Sequence, residues 1–193
     1  QVENQGYIHY RKGSLVMYYL KEMIGEAAVN KSLQALLETY KYKEPPYPTS
    51  HHAVDLFKAN TPDSLQYIIT DLFETITLFS NRAVKAEARL LSDSTYEVTI
   101  DVTSKKFRAD SLGRETPVAV ADWIEIGVLG KPEDGKKSGR MLYRKKHYIR
   151  NEKSSFVVTV KGKPYEAGID PVNLLVDVVG EDNLVKVSEP ESH

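Results

Sequence analysis

The residues Tyr10-Arg11-Lys12-Gly13-Ser14 run straight into the apolar stretch 15–20, and this junction offers the chain's most specific chemistry. A phenol stays protonated at neutral pH and donates one directed hydrogen bond. Glycine after it lets the start of a helix lie close to a neighbouring backbone. The five histidines, His9, His51, His52, His147 and His193, are the other groups with chemistry to offer. None opens a His-Glu-x-x-His, the helical spacing that sets two imidazoles on one metal. His51 and His52 are adjacent, so on a helix they diverge by about 100°. Only Asp55 stands at a paired spacing to them, and an exposed helix start is the expected role. His9 neighbours Tyr10 and would share its surroundings, as a surface or satisfied histidine. There is no Gly-rich phosphate loop, no Gly-x-Ser-x-Gly and no Ser/His/Asp set that spacing justifies. With no cysteine, disulfides and thiolate metal sites are excluded.

The elements that position these residues follow from periodicity. The chain has 193 residues, enough for one large domain or two small ones. Over residues 1–80 the apolar positions recur with helical period. Leu15, Val16, Tyr18, Tyr19, Leu20, Met23 and Ile24 mark a largely buried helix that Gly25 ends or bends. Val29, Leu33, Leu36, Leu37 and Tyr40 mark one face of a second helix over 26–41. Glu44-Pro45-Pro46-Tyr47-Pro48 is an extended connection. Thr49 or Ser50 caps a short third helix through Lys58. Thr61-Pro62-Asp63 starts a fourth, with proline at the first helical position, and Leu65, Ile68, Ile69, Leu72, Phe73 and Ile76 form its stripe.

From Ala83 the period becomes two. Val84, Ala86, Ala88 and Leu90 alternate with charged residues, as do Tyr96, Val98, Ile100 and Val102 with polar ones. Further strands are expected over 105–109, 117–129, 140–149, 155–161 and 173–179. The turn signals between them complete the pattern of an antiparallel β-sandwich of about seven strands. The fold class is therefore α+β: a helical part over 1–80, a sandwich over 81–185 and a frayed tail over 186–193.

The net charge of −1 gives no global field for nucleic acid, and no nucleic-acid partner is expected. No run of 18 apolar residues is present to span a bilayer as a helix. The sequence opens on Gln1 without an initiator Met or a signal-peptide pattern, and it is expected to be a piece with any targeting signal upstream.

The segment 10–14 resembles the Tyr-x-Lys-Gly-(Ala/Ser) segment of the gluzincin zinc aminopeptidases, the aminopeptidase N family. The resemblance continues in order over residues 7–80. Leu20-Lys21-Glu22-Met23-Ile24-Gly25 matches the family's Leu-x-x-x-(Ile/Leu)-Gly. A second helix ends near an aromatic over 33–42, and a short helix carries Asp55-Leu56. The segments Asp71-Leu72-Phe73-Glu74-Thr75-Ile76-Thr77-Leu78 and Gly168-Ile169-Asp170-Pro171 look like large bacterial proteins that join an ABC-transporter-permease-like membrane half to an aminopeptidase half.

The resemblance implies that Tyr10 is catalytic, pointing its hydroxyl at the scissile carbonyl and stabilising the oxyanion. It implies that zinc and the glutamate base come from the upstream catalytic portion of the same polypeptide. No cofactor or metal ligand is expected within this chain. It further implies a peptide substrate, a parent at the bacterial inner membrane, and a sandwich that braces the catalytic part. Alone, the chain would be inactive for lack of the zinc motif. The alternative is a non-catalytic binding or scaffold module of a transporter-associated protein.

Three further features have structural readings. Residues 131–153 carry nine Lys/Arg against three Asp/Glu, with Met141, Leu142, Tyr143, Tyr148 and Ile149 interleaved, which fits the solvated face of a strand pair. Asp101 and Asp170 have no defined partner, and Asp170-Pro171 reads as a turn opener. Trp123 is expected to anchor the sandwich core or its interface with the helices.

Overall fold

The computed structural model describes residues 13–189. They form four helices followed by antiparallel sheets of eight strands, an α+β architecture with a β-sandwich as its second part. Two compact units result, one running to Thr77 and the other beginning at Leu78.

In the first unit, α1 (Gly13–Ile24) buries Val16, Tyr19 and Leu20, one i, i+3, i+4 face. The Gly25 N–H closes its last turn on the Lys21 carbonyl at 2.9 Å, and Gly25 then turns the chain at φ +89°, a conformation that favours glycine. α2 (Glu26–Tyr40) is rotated from the expected face. It buries Val29 and Ser32, while Leu33 and Leu37 stay 38% and 66% exposed. The reason is polar: the Ser32 hydroxyl donates to Ala28 O and to Leu56 O of the next helix, each at 3.0 Å, so a small residue takes the seam.

α3 (Ser50–Ala59) starts at Thr49 and buries Phe57, whose ring stacks on Phe73 with centroids 5.6 Å apart. Side chains finish its C-terminal carbonyls: Asn60 Nδ2 on Leu56 O at 2.9 Å, Thr61 Oγ1 on Phe57 O at 2.7 Å and Gln66 Nε2 on Lys58 O at 2.8 Å.

The fourth helix is shorter than its stripe. A 3₁₀ turn over Asp63–Leu65 leads into α4 (Gln66–Ile69), and a π turn over Thr70–Glu74 ends it with Thr75 N–H on Thr70 O at 3.0 Å. Ile76, placed by pattern on the helix, opens a strand. Backbone pairing of Phe79 with residues about a hundred positions later overrides the local helical period.

The second unit contains β1 (Ile76–Ser92, its first residues in the first unit), β2 (Thr95–Ala109), β3 (Glu115–Val118) and β4 (Asp122–Leu129). Then come β5 (Met141–Ile149), β6 (Lys153–Lys161), β7 (Glu166–Ile169) and β8 (Leu184–Lys186). One sheet joins β1 to β2, with β6 on residues 95–103 and β3 on residues 106–109 of β2; the other runs β5-β4-β7-β8. The core lies between them, from Val98, Ile100 and Val102 of β2 to Ile124, Ile126 and Val128 of β4.

The stretches expected over 96–102 and 105–109 are one strand, β2, and that over 117–129 is divided between β3 and β4. Residues 173–179 are not a strand; Asp177 makes a single parallel bridge to Phe79. β7 and β8, only four and three residues long, are too short for alternation to announce them. β7 pairs through Gly168, where a Cβ would lie 2.0 Å from Asn183 O and 2.9 Å from the Ala83 methyl. In β1 the alternation slips at Val84 and Lys85, both exposed, so Ala83, Ala86 and Ala88 face inward and Val84 and Leu90 do not.

The outer edge of β1 is stitched by later residues. Phe79 N–H donates to Val176 O, Val178 N–H to Phe79 O, Ala88 N–H to Ser188 O and Ser188 N–H to Ala86 O, each at 2.9 Å. Val187 N–H reaches Tyr165 O at 2.9 Å, so pairing extends into the stretch expected to fray.

Candidate functional site

Tyr10 and His9 lie outside the described residues, as does His193. The first described element after Tyr10 is α1, which begins at Gly13 and buries one face. His52 and His147 have structural partners. Thr49 N–H donates to His52 Nδ1 at 3.0 Å, so His52 caps its own helix from the third position, and its ring meets Tyr40 edge-on at 5.2 Å. His51 and Asp55 are exposed on the same helix. Among the described residues no group of three or more His, Asp or Glu is placed to hold a metal, so a zinc site does not fit them.

In the sandwich, His147 on β5 shares a 2.9 Å hydrogen bond with the Tyr143 hydroxyl, and its ring lies 4.7 Å from that of Phe156. Burial, helped by Lys145, lowers the His147 pKa, and burial raises that of Tyr143. Both are therefore neutral near pH 7, a quiet pair at the mouth between the two sheets.

Trp123 is not a core anchor. It is 40% exposed on the outer face, 5.2 Å from Tyr148, its register partner on β5. The inner phase of β4 belongs to Asp122, Ile124 and Ile126 instead. The basic segment behaves as a sheet face: Arg144 Nε donates to Glu125 Oε2 at 2.6 Å and the Arg150 guanidinium sits 4.8 Å from the Tyr148 ring centroid. Lys136 pairs with Glu133 at 2.6 Å. Asp101 borders a shallow groove with Val84, Thr103 and Lys153.

Asp170 is buried in the turn after β7, at φ +44°. Its carboxylate accepts from Leu174 N–H at 2.8 Å and Leu175 N–H at 2.9 Å. Burial raises its pKa from 3.8 to about 6, although the two backbone donors oppose the rise. The folded pKa lies above the unfolded one, so between pH 3.8 and about 6 the unfolded chain releases the proton first. Stability from this group is complete below that window and falls as pH rises through it.

Asp170→Asn keeps an acceptor and tolerates the left-handed backbone, but does not titrate. Denaturant unfolding at pH 4 and pH 7 is expected to show wild type losing about 2–3 kcal/mol relative to the Asn variant. A difference that stays constant between the two pH values would show that Asp170 titrates normally.

Pattern reasoning misses one charged pair in the core. Lys106 Nζ on β2 lies 2.8 Å from Asp122 Oδ1 on β4, with side-chain exposures of 7% and 2%. The signal is present in the alternation: Lys106 continues the inward phase Val98, Ile100, Val102, Ser104, and Asp122 that of Ile124, Ile126, Val128. The pair ties sheet to sheet and faces no reacting group.

No protein-family model matches the chain, and no curated protein matches it either. The polar groups named above serve as cross-braces, caps and turns, and Tyr10 lies outside the described residues.

Proposed function

We propose that this chain is the C-terminal portion of a gluzincin-type zinc aminopeptidase, to which it contributes the oxyanion-stabilising Tyr10 and a bracing β-sandwich. One observation carries the reading: the Gly-Ser of Tyr-x-Lys-Gly-Ser opens a helix that begins at Gly13, buries Val16, Tyr19 and Leu20, and gives way to Gly25. That order of motif, buried helix and glycine is the order of the resemblance.

In this reading, following the resemblance, the upstream portion of the same polypeptide holds zinc and the glutamate base. Tyr10's own part is a phenolic O–H held at one place and donated to charge that develops on the carbonyl oxygen. A peptide is the substrate, and a membrane enters only through a permease-like half of the parent at the bacterial inner membrane. Among the described residues no helix is long and apolar enough to cross a membrane.

The test compares the purified chain with the longer protein. The chain alone is expected to hold no stoichiometric zinc and to release no amino acid from aminoacyl substrates; the longer protein is expected to do both. Stoichiometric zinc with turnover in the chain alone would overturn the assignment. A longer protein that lacks both would move the chain to the scaffold reading.

A further inference from the structure

We propose that the free edge of β6 is a strand-addition site for an extended segment of a partner protein, one with an alternating β-branched centre and acidic flanks. β6 pairs with β2 along one edge, and among the described residues no backbone hydrogen bond to another strand leaves its other edge. Sheet edges are ordinarily blunted by charge, proline, a bulge or a covering segment. The middle of β6, Ser154-Ser155-Phe156-Val157-Val158-Thr159-Val160, carries no charge, glycine or proline. Val157 at its centre is 62% exposed. Two of the other outer edges are managed. β1 is covered by residues 176–178 and 188, and β5 carries Arg144, Lys145 and Lys146.

The mouth beside β6 says what an incoming strand must bring. Tyr143, His147 and Phe156 are half-buried there. A strand laid about 4.8 Å beyond β6 would cover them with every second side chain, so its inward residues must be apolar. Charge sets the flanks. Lys153 and Lys161 bound β6, with Arg150 and Lys163 just outside it, while nearby Glu152 is engaged by Lys105 at 3.1 Å.

A second copy of β6 fits this edge poorly. Antiparallel pairing centred on Val157 would set Lys153 against Lys161 at both ends, and parallel in-register pairing would set each lysine on its own copy. Like charges facing across strands destabilise the pair. Acidic flanks turn the same lysines into attractive contacts, while main-chain hydrogen bonds supply the affinity.

The test uses the whole chain and nine-residue peptides with a fixed alternating Val/Thr centre and two residues at each end made Asp, Ser or Lys. Asp-flanked peptides are expected to bind at least about tenfold tighter than Lys-flanked ones by fluorescence anisotropy, with the preference shrinking in high salt. Amide exchange is expected to slow in β6 and not in β8. Lys153→Glu with Lys161→Glu, on exposed positions, is expected to reverse the flank preference without altering the fold. Absence of binding, binding indifferent to the flanks, or protection confined to β5 would overturn the proposal. So would sedimentation showing a β6-mediated dimer that excludes peptide, or anionic vesicles that engage these lysines while every peptide fails.

Discussion

Tyr10→Phe in the longer protein is expected to lower turnover of aminoacyl substrates by roughly 10²–10³-fold with zinc content unchanged. Phenylalanine keeps the ring and removes only the hydroxyl. If that hydroxyl donates to the oxyanion, its contribution exists in the transition state and is weak in the ground state. The values of kcat and kcat/KM then fall together, and KM moves little. Zinc content is the control that separates this from general damage, because the phenol is not a metal ligand in the proposed reading. Unchanged turnover in an active parent would remove Tyr10 from the mechanism and take the functional weight from residues 10–14.

The largest stability effect is expected at the buried pair between the sheets. Lys106→Met removes the partner of Asp122, whose carboxylate is then left with the backbone N–H of Ala121 at 3.0 Å. An unpaired buried charge of this kind costs about 3–5 kcal/mol. The lysine also stands 5.4 Å from the Phe79 ring centroid, a contact that methionine replaces only in part.

The double variant Lys106→Met with Asp122→Leu is expected to recover most of the loss, because neither charge then needs solvation. Denaturant unfolding of the four members of this cycle gives the coupling directly. A single variant that loses less than about 1 kcal/mol, or a double variant as unstable as the singles, would show that water or other groups already serve these charges.

The helices are the most legible part of the sequence, because their bonds are local. On α1 only Val16, Tyr19 and Leu20 are buried and Tyr18 is 45% exposed, so a helix expected to be largely buried hides one face, while Gly25 sits between two helices as its position suggests. Legibility fails where a distant partner decides. Ile76 continues a helical stripe, yet Phe79 pairs with Val176 and Val178 and draws the segment into a strand. Leu33 and Leu37 share an apolar face with Val29, yet the hydroxyl of Ser32 bonding to Leu56 O sets which side of α2 meets α3.

On β4 the presence of Asp122 in the inward phase sends Trp123 outward, and the pairing with Lys106 together with the Ala121 N–H makes a buried Asp122 tolerable. The Tyr10 motif is a sequence feature that lies outside the described residues, and the bare edge of β6 has no sequence signal. An edge is defined by the strand that fails to arrive, and no local pattern reports that.

The stitching of β1 by residues 176–188 has a consequence for the order in which the molecule is made. On a translating ribosome β1 and β2 emerge before residues 176–188 and can form their hairpin first. The outer edge of β1 then stays open until residues 176–188 follow, long after β2 ends at Ala109, since its partners are Val176, Val178 and Ser188. Closure of the sandwich is therefore a late, high-contact-order event. Until it occurs, the nascent chain offers a long strand edge to whatever is near, which makes this interval the natural point for chaperone engagement and for misassembly.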